Sequence, residues 1–119
     1  MTMDQAMALL RSCFDPFTGC LPTPWELEED FRQNRLLTAG DQGILRFSGG
    51  RTAELRHLAV AQASRGRGIG RDLVARFNVC TAGRRALVWT GADNTAALHL
   101  YETAGFRPDG WSSLVLIQA

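Results

Sequence analysis

The segment Arg65-Gly66-Arg67-Gly68-Ile69-Gly70 constrains the fold of this chain more than any other. The run Thr52–Val60 before it reads as a strand. After it, Ile69, Leu73, Val74 and Phe77 recur at helical spacing, with Arg71, Asp72 and Arg76 on the other side. Glycines at such a strand-to-helix junction let the backbone approach a bulky group closely. The unpaired N–H groups of the first helical turn point at that group, and the helix dipole favours negative charge there. Arg65, Arg67 and Arg71 add charge-assisted donors. The physical reading is a cradle for phosphate or pyrophosphate; the plain alternative is a tight turn with solvated arginines. No Gly-Lys-Ser/Thr follows, as a Walker loop requires. The glycines at 66, 68 and 70 run G-x-G-x-G, not G-x-G-x-x-G, which excludes the dinucleotide fingerprint.

The flanking sequence predicts the remaining elements. Met3, Met7, Leu10 and Phe14 mark an opening helix, ended by the turn Asp15-Pro16-Phe17-Thr18-Gly19. Thr23 suits an N-cap, Pro24 the first helical position and Glu26 the reciprocal capping contact, so a second helix starts there. Glu28, Glu29 and Asp30 extend its negative charge, read as a solvated acidic face. Residues 35–39 and 43–48 form a hairpin around Gly40-Asp41-Gln42. Residues 86–89 are an uninterrupted apolar run, as in a strand buried on both faces. A helix over 96–104, capped by Gly105, and a strand over 112–117 complete the order α-α-β-β-β-α-β-α-β. This is an α/β (α+β) sandwich, and residues 1–119 are expected to form one domain.

Composition narrows the function classes. Charged residues are 21% of the chain and no apolar run approaches the roughly 18 residues of a membrane span, so no membrane partner is expected. Net charge is only +1, and no aromatics interleave the arginines of 65–71, which argues against a nucleic-acid partner. All thirteen basic residues are arginine, so no lysine is present to act as nucleophile or phosphate clamp. Residues 1–45 carry three Arg and seven Asp/Glu, net −4; residues 46–119 carry ten Arg and five Asp/Glu, net +5. An anionic ligand therefore favours the second part. Cys13, Cys20 and Cys80 have no metal-ligand spacing and are read as small buried apolar groups, with no metal site expected. The N-terminal stretch has no basic flank, so the expected location is cytoplasmic.

Two segments together resemble the GNAT N-acetyltransferase superfamily. Arg65, Gly68 and Gly70 fill that family's Q/R-x-x-G-x-G/A pattern after the strand "ELRHLAV". The run "NTAALHLYETAGF" at 94–106 is similar to the family's Asn, Leu-Tyr-Glu and Gly-Phe after its fifth strand. The resemblance implies a mixed, mostly antiparallel central sheet with helices on both faces. It implies acetyl-CoA (coenzyme A) as donor and direct transfer to a primary amine of a small molecule or peptide. It implies that Leu58, Ala59 and Val60 meet the acetyl and pantetheine arm. Arg65, Gly66, Arg67, Gly68, Ile69, Gly70 and Arg71 would hold the pyrophosphate, and Asn94 would contact the cofactor arm. Tyr101, the only tyrosine, is the expected acid for the leaving thiolate; a phenol with pKa near ~10 suits that task.

Glu54 is the expected general base, as several family members place a glutamate on this strand. In regular alternation Glu54, Arg56, Leu58 and Val60 share one face, and Glu54 lies ~13 Å along the strand from Leu58. His57 points the other way unless a bulge shifts the parity. Glu54, His57 and no dedicated base therefore stay open, and His99 reads as a helix-surface residue. The family's first strand is missing, which leaves a sheet edge bare or paired with a second copy in a homodimer. The position that carries a glutamate in some protein N-terminal acetyltransferases is Trp89 here. A non-catalytic acyl-CoA-binding or interaction module is the alternative reading.

Overall fold

Each helix begins where a short polar side chain can serve the first free N–H groups, with one exception. Helix α1 (Met3–Cys13) is opened by a capping box between Thr2 and Gln5. Helix α2 (Pro24–Arg32) is opened by the expected box between Thr23 and Glu26, with Pro24 in the first turn. Helix α4 (Thr95–Thr103) is capped by Asn94, whose side chain accepts from the Ala97 N–H at 3.2 Å. Helix α3 (Ile69–Cys80) has Gly68 at its N-cap and no side-chain cap.

This computed structural model describes residues 1–14, 20–90 and 94–108, and the backbone of 115–118. The expected turn at 15–19 lies outside the described residues, as do 112–114 of the expected last strand. The strands are β1 (Leu36–Ala39), β2 (Gly43–Phe47), β3 (Thr52–Val60), β4 (Arg85–Trp89), β5 (Phe106–Pro108) and β6 (Val115–Gln118). They form one sheet in the order β1-β2-β3-β4-β6-β5, antiparallel except for β3 against β4. Strand β5 was not expected, because three residues ending in proline carry too little pattern to read as a strand.

The sheet is covered on both faces. On one, Leu73, Val74 and Phe77 of α3 and Tyr101 of α4 pack with Phe47, Leu55, Val88 and Phe106. Phe77 sits between Phe47 (centroids 5.2 Å) and Phe106 (6.5 Å). On the other, Met7 and Leu10 of α1 and Leu27 of α2 pack on Ile44 and Ala59. At the outer edge of β1, Arg76 Nη1 donates to the Thr38 carbonyl at 2.8 Å. Pairing with a second copy along that edge would displace this guanidinium.

Four expectations need correction. Regular alternation along β3 fails: the register pairs Arg46 with His57 but Phe47 with Leu55, so Arg56 is a bulged extra residue. Parity flips there. Leu58 packs against the α3 side, whereas His57 meets Phe14, just after α1, edge-on at 4.9 Å. Cys20 and Cys80 are exposed and Cys13 is half-buried, so they are not core groups. Residues 86–89 are not buried throughout, because Trp89 is exposed where the parallel ladder ends.

The fourth correction concerns Asp30, which is not part of a solvated face. It is 5% exposed, and its two carboxylate oxygens take the Nε groups of Arg35 (3.0 Å) and Arg46. It ties α2 to the start of the hairpin and to β2. Removing one partner of a buried ion cluster leaves the others uncompensated. Asp30→Ala is therefore expected to lower stability by about 3 kcal/mol, read as a shift in the urea midpoint with unchanged slope. A loss below about 1 kcal/mol, the usual worth of an exposed pair, would refute this role.

Candidate functional site

The parallel ladder between β3 and β4 stops at Leu55↔Val88, but β3 runs on to Val60. The two strands splay beyond that point and open a cavity of about 730 Å³. Its floor is Leu58 and Val60, one wall is the loop and first turn of α3, and the other is Trp89, Thr90, Asn94 and α4. Cys13 and Phe14, at the end of α1, close the remaining side.

Backbone direction on the floor follows from the ladder. The Ala61 N–H donates to the Gln42 carbonyl at 2.7 Å, extending the β2–β3 register by one pair. Hydrogen-bonded pairs alternate in an antiparallel ladder. Ala59 and His57 therefore bond toward β2, while Leu58 and Val60 aim their N–H and C=O groups into the cavity. The Val60 carbonyl accepts Arg65 Nε at 3.2 Å, as this direction requires.

Most of the expected site residues meet at this cavity. Leu58, Val60, Arg65, Gly66, Gly68, Ile69, Gly70, Arg71, Asn94 and Tyr101 all line it. Gly66 and Gly68 have φ of +80° and +81°, where a side chain is strained, and a Cβ built on either meets nothing within 4 Å. Ala59 does not line the cavity; its side chain is buried beneath α1. Arg67 is exposed and also lies outside the lining. Arg65 is partly spent on structure, since its Nη2 also reaches Cys13 Sγ at 3.5 Å.

The two base candidates are not on the cavity. Glu54 is half-buried, on the opposite face from Leu55, with a carboxylate oxygen 3.8 Å from Arg56 Nη2. His57 is buried, its Nδ1 3.4 Å from Arg46 Nη1. His99 is exposed on α4, as expected. Among the described residues that line the cavity there is no carboxylate and no histidine. Cys13, Trp89 and Leu100 also line it without having been singled out for it. Spacing alone could not reveal them, because they come from three separate elements.

Tyr101 is 6% exposed, with its ring edge-on to Phe106 at 5.9 Å. Burial penalises the phenolate and pushes its pKa up from 10 to about 12. The folded protein thus holds this proton where the unfolded chain has lost it. Stability is unaffected below pH 10 and falls as pH rises from 10 to about 12. Because the chain has one tyrosine, tyrosinate absorbance titrates this group alone. Its midpoint is expected near 12 in the native state; a midpoint near 10 would mean that the hydroxyl is solvated.

Among the described residues no three His, Cys, Asp or Glu side chains cluster as metal ligands, and no helix is long and apolar enough to cross a membrane. The acetyltransferase (GNAT) domain family matches the chain over residues 27–108. No curated protein matches it in sequence. Solved structures are similar in fold. The ribosomal-protein-S18-alanine N-acetyltransferase from Escherichia coli superposes with a TM-score of 0.67 at 16% identity, covering 98% of this chain and 86% of that one. An N-acetyltransferase from Thermoplasma acidophilum, solved with coenzyme A, gives 0.70 at 15%, covering 97% and 89%. The diaminobutyrate acetyltransferase from Paenibacillus lautus, solved with L-2,4-diaminobutyric acid and coenzyme A, gives 0.70 at 17%, covering 97% and 87%.

Proposed function

This chain belongs to the GNAT acetyltransferase family, and on that footing we propose that it moves an acetyl group from acetyl-CoA directly to a primary amine of a small molecule or peptide. One observation carries the reading. Of the four α-helices among the described residues, only α3 lacks a side-chain cap, and its first turn opens onto the cavity of about 730 Å³. Its free N–H groups and dipole suit a pyrophosphate. The residues present fit such a group: Gly66 and Gly68 leave the space above the loop open, and Arg65 and Arg71 border it. Arg67, exposed beside it, adds positive charge. Leu58 and Val60 offer backbone groups to the pantetheine arm, with Ala59 holding the strand down between them, and Asn94 borders the arm from the α4 side.

Bound acetyl-CoA supplies a thioester carbonyl and a thiolate leaving group. The Leu58 N–H, aimed into the cavity, is placed to donate to the developing oxyanion. Tyr101 keeps its proton on Oη at working pH and donates it toward the departing sulfur. A thiol near pKa ~8.5 lies some 3.5 units below a phenol at about 12, so full transfer is uphill by ~5 kcal/mol. Tyr101 therefore acts chiefly as a hydrogen-bond donor to sulfur, with the proton following late. Glu54 stands away from the cavity lining, so it reaches the amine only through solvent. The acceptor then enters neutral or yields its proton to water.

Calorimetric titration with acetyl-CoA and with coenzyme A tests the donor; no binding to either would leave only the fold. Thiol release from a panel of amines tests the chemistry. The pH dependence of kcat/KM is expected to track each acceptor's own amine pKa, moving with the amine. One fixed midpoint shared by amines of different pKa would instead point to a base on the protein. Tight binding with no turnover on any amine would favour a non-catalytic acyl-CoA-binding module.

A further inference from the structure

A second cavity, about 350 Å³, lies beside the first, and among the described residues Arg56 alone lines both. The bulge explains this: Arg56 has no partner in the β2–β3 register and projects between the two spaces. The other polar side chains of the second cavity are Glu26, Asp30, Arg35, Arg46 and Ser48. Three arginines face the two carboxylates of the lining, and Glu54, outside the lining, pairs with Arg56 at 3.8 Å, so the charges balance.

The carboxylates are already engaged. Asp30 gives one oxygen to Arg35 and the other to Arg46. Glu26 accepts the Thr23 N–H at 3.0 Å in the α2 capping box. Glu28 and Glu29 pair with Arg32 in solvent and do not line the cavity. Donors remain in excess. Arg35 and Arg46 hold Asp30 through Nε, and Arg46 Nη1 meets His57 Nδ1 at 3.4 Å, which leaves the Nη groups of Arg35 and Nη2 of Arg46. Arg56 is half-exposed, and its contact to Glu54 is 3.8 Å, too long for a hydrogen bond. The acidic run of α2 therefore does not make the acceptor site cationic-selective; the cavity beside the transfer point has donors to give.

Resting on the acetyltransferase reading, we infer that the acceptor is an amine of amino-acid size that carries a carboxylate, and that Arg56 recognises that carboxylate. A guanidinium fork matches a carboxylate in two parallel hydrogen bonds. Arg56 and Leu58 are two residues apart, roughly 6–7 Å along a strand. An amine at the Leu58 end and a carboxylate at Arg56 thus lie a few bonds apart on one small molecule.

The test uses matched acceptors that differ only in the carboxylate: L-lysine against cadaverine, and L-phenylalanine against phenethylamine, with phosphoethanolamine as the phosphate-bearing arm. Thiol release gives kcat and KM for each, and coenzyme A titration runs alongside. The carboxylate member of at least one pair is expected to have about tenfold or greater advantage in kcat/KM, carried by KM, as one charged hydrogen-bonding contact provides. Arg56→Gln is expected to collapse that ratio toward unity, and Arg56→Lys to restore part of it. A merely structural role would lower both members of a pair alike. Equal use of both members, preference for the decarboxylated or phosphate-bearing amine, no turnover of any of the five, or a ratio untouched by Arg56→Gln overturns the inference. If that happens while coenzyme A binds, the donor reading stands; if coenzyme A does not bind, both fall.

Discussion

Gly68→Glu abolishes coenzyme A binding in a titration, with at least a hundredfold loss of affinity, while Gly68→Ala retains most of it. Two effects separate in this pair. Gly68 sits at φ +81°, so any side chain there costs about 1–2 kcal/mol of backbone strain. Alanine carries that cost and nothing more, since its Cβ meets nothing within 4 Å. Glutamate adds a negative charge at a helix N-terminus that has no side-chain cap. Its carboxylate competes for the same N–H groups and repels a pyrophosphate. The same carboxylate caps the helix, so the thermal midpoint of Gly68→Glu should stay near that of Gly68→Ala. Undiminished binding by Gly68→Glu would remove the loop from the cofactor site, and with it the observation on which the function rests.

Tyr101→Phe leaves coenzyme A affinity within about twofold and slows thiol release about a hundredfold, the usual scale for losing a positioned proton donor. The phenol oxygen is the only heavy atom removed, and the ring keeps its edge-on contact with Phe106. The substitution should also flatten the loss of stability between pH 10 and about 12, because the group responsible is gone. Both readouts concern one oxygen, so they must change together. Normal turnover by Tyr101→Phe would take the phenol out of the mechanism and leave the backbone at Leu58 as the main source of rate.

Local signals were readable along the chain because they depend on neighbours. Thr23, Pro24 and Glu26 specify a helix start within four residues, and the structure has that start. The helical spacing of Leu73, Val74 and Phe77 specifies a buried face, and all three are fully buried. The glycine loop and the Asn94–Tyr101 segment were readable for the same reason, as was the α/β architecture that their order implies.

Non-local pairing was not readable. The bulge at Arg56 exists only because β2 and β3 meet in a register that β2 cannot extend evenly. That one-residue slip turned Leu58 and Val60 toward the cavity, left Glu54 off it, and put Arg56 between two spaces. Asp30 looked like its solvated neighbours Glu28 and Glu29, because nothing in the α2 sequence says that Arg35 and Arg46 will converge on it. Side-chain chemistry and short-range periodicity thus determined which glycine-rich loop and which phenol this chain has. The tertiary structure decided what stands beside them, because strand register and the burial of charge depend on residues far apart in sequence.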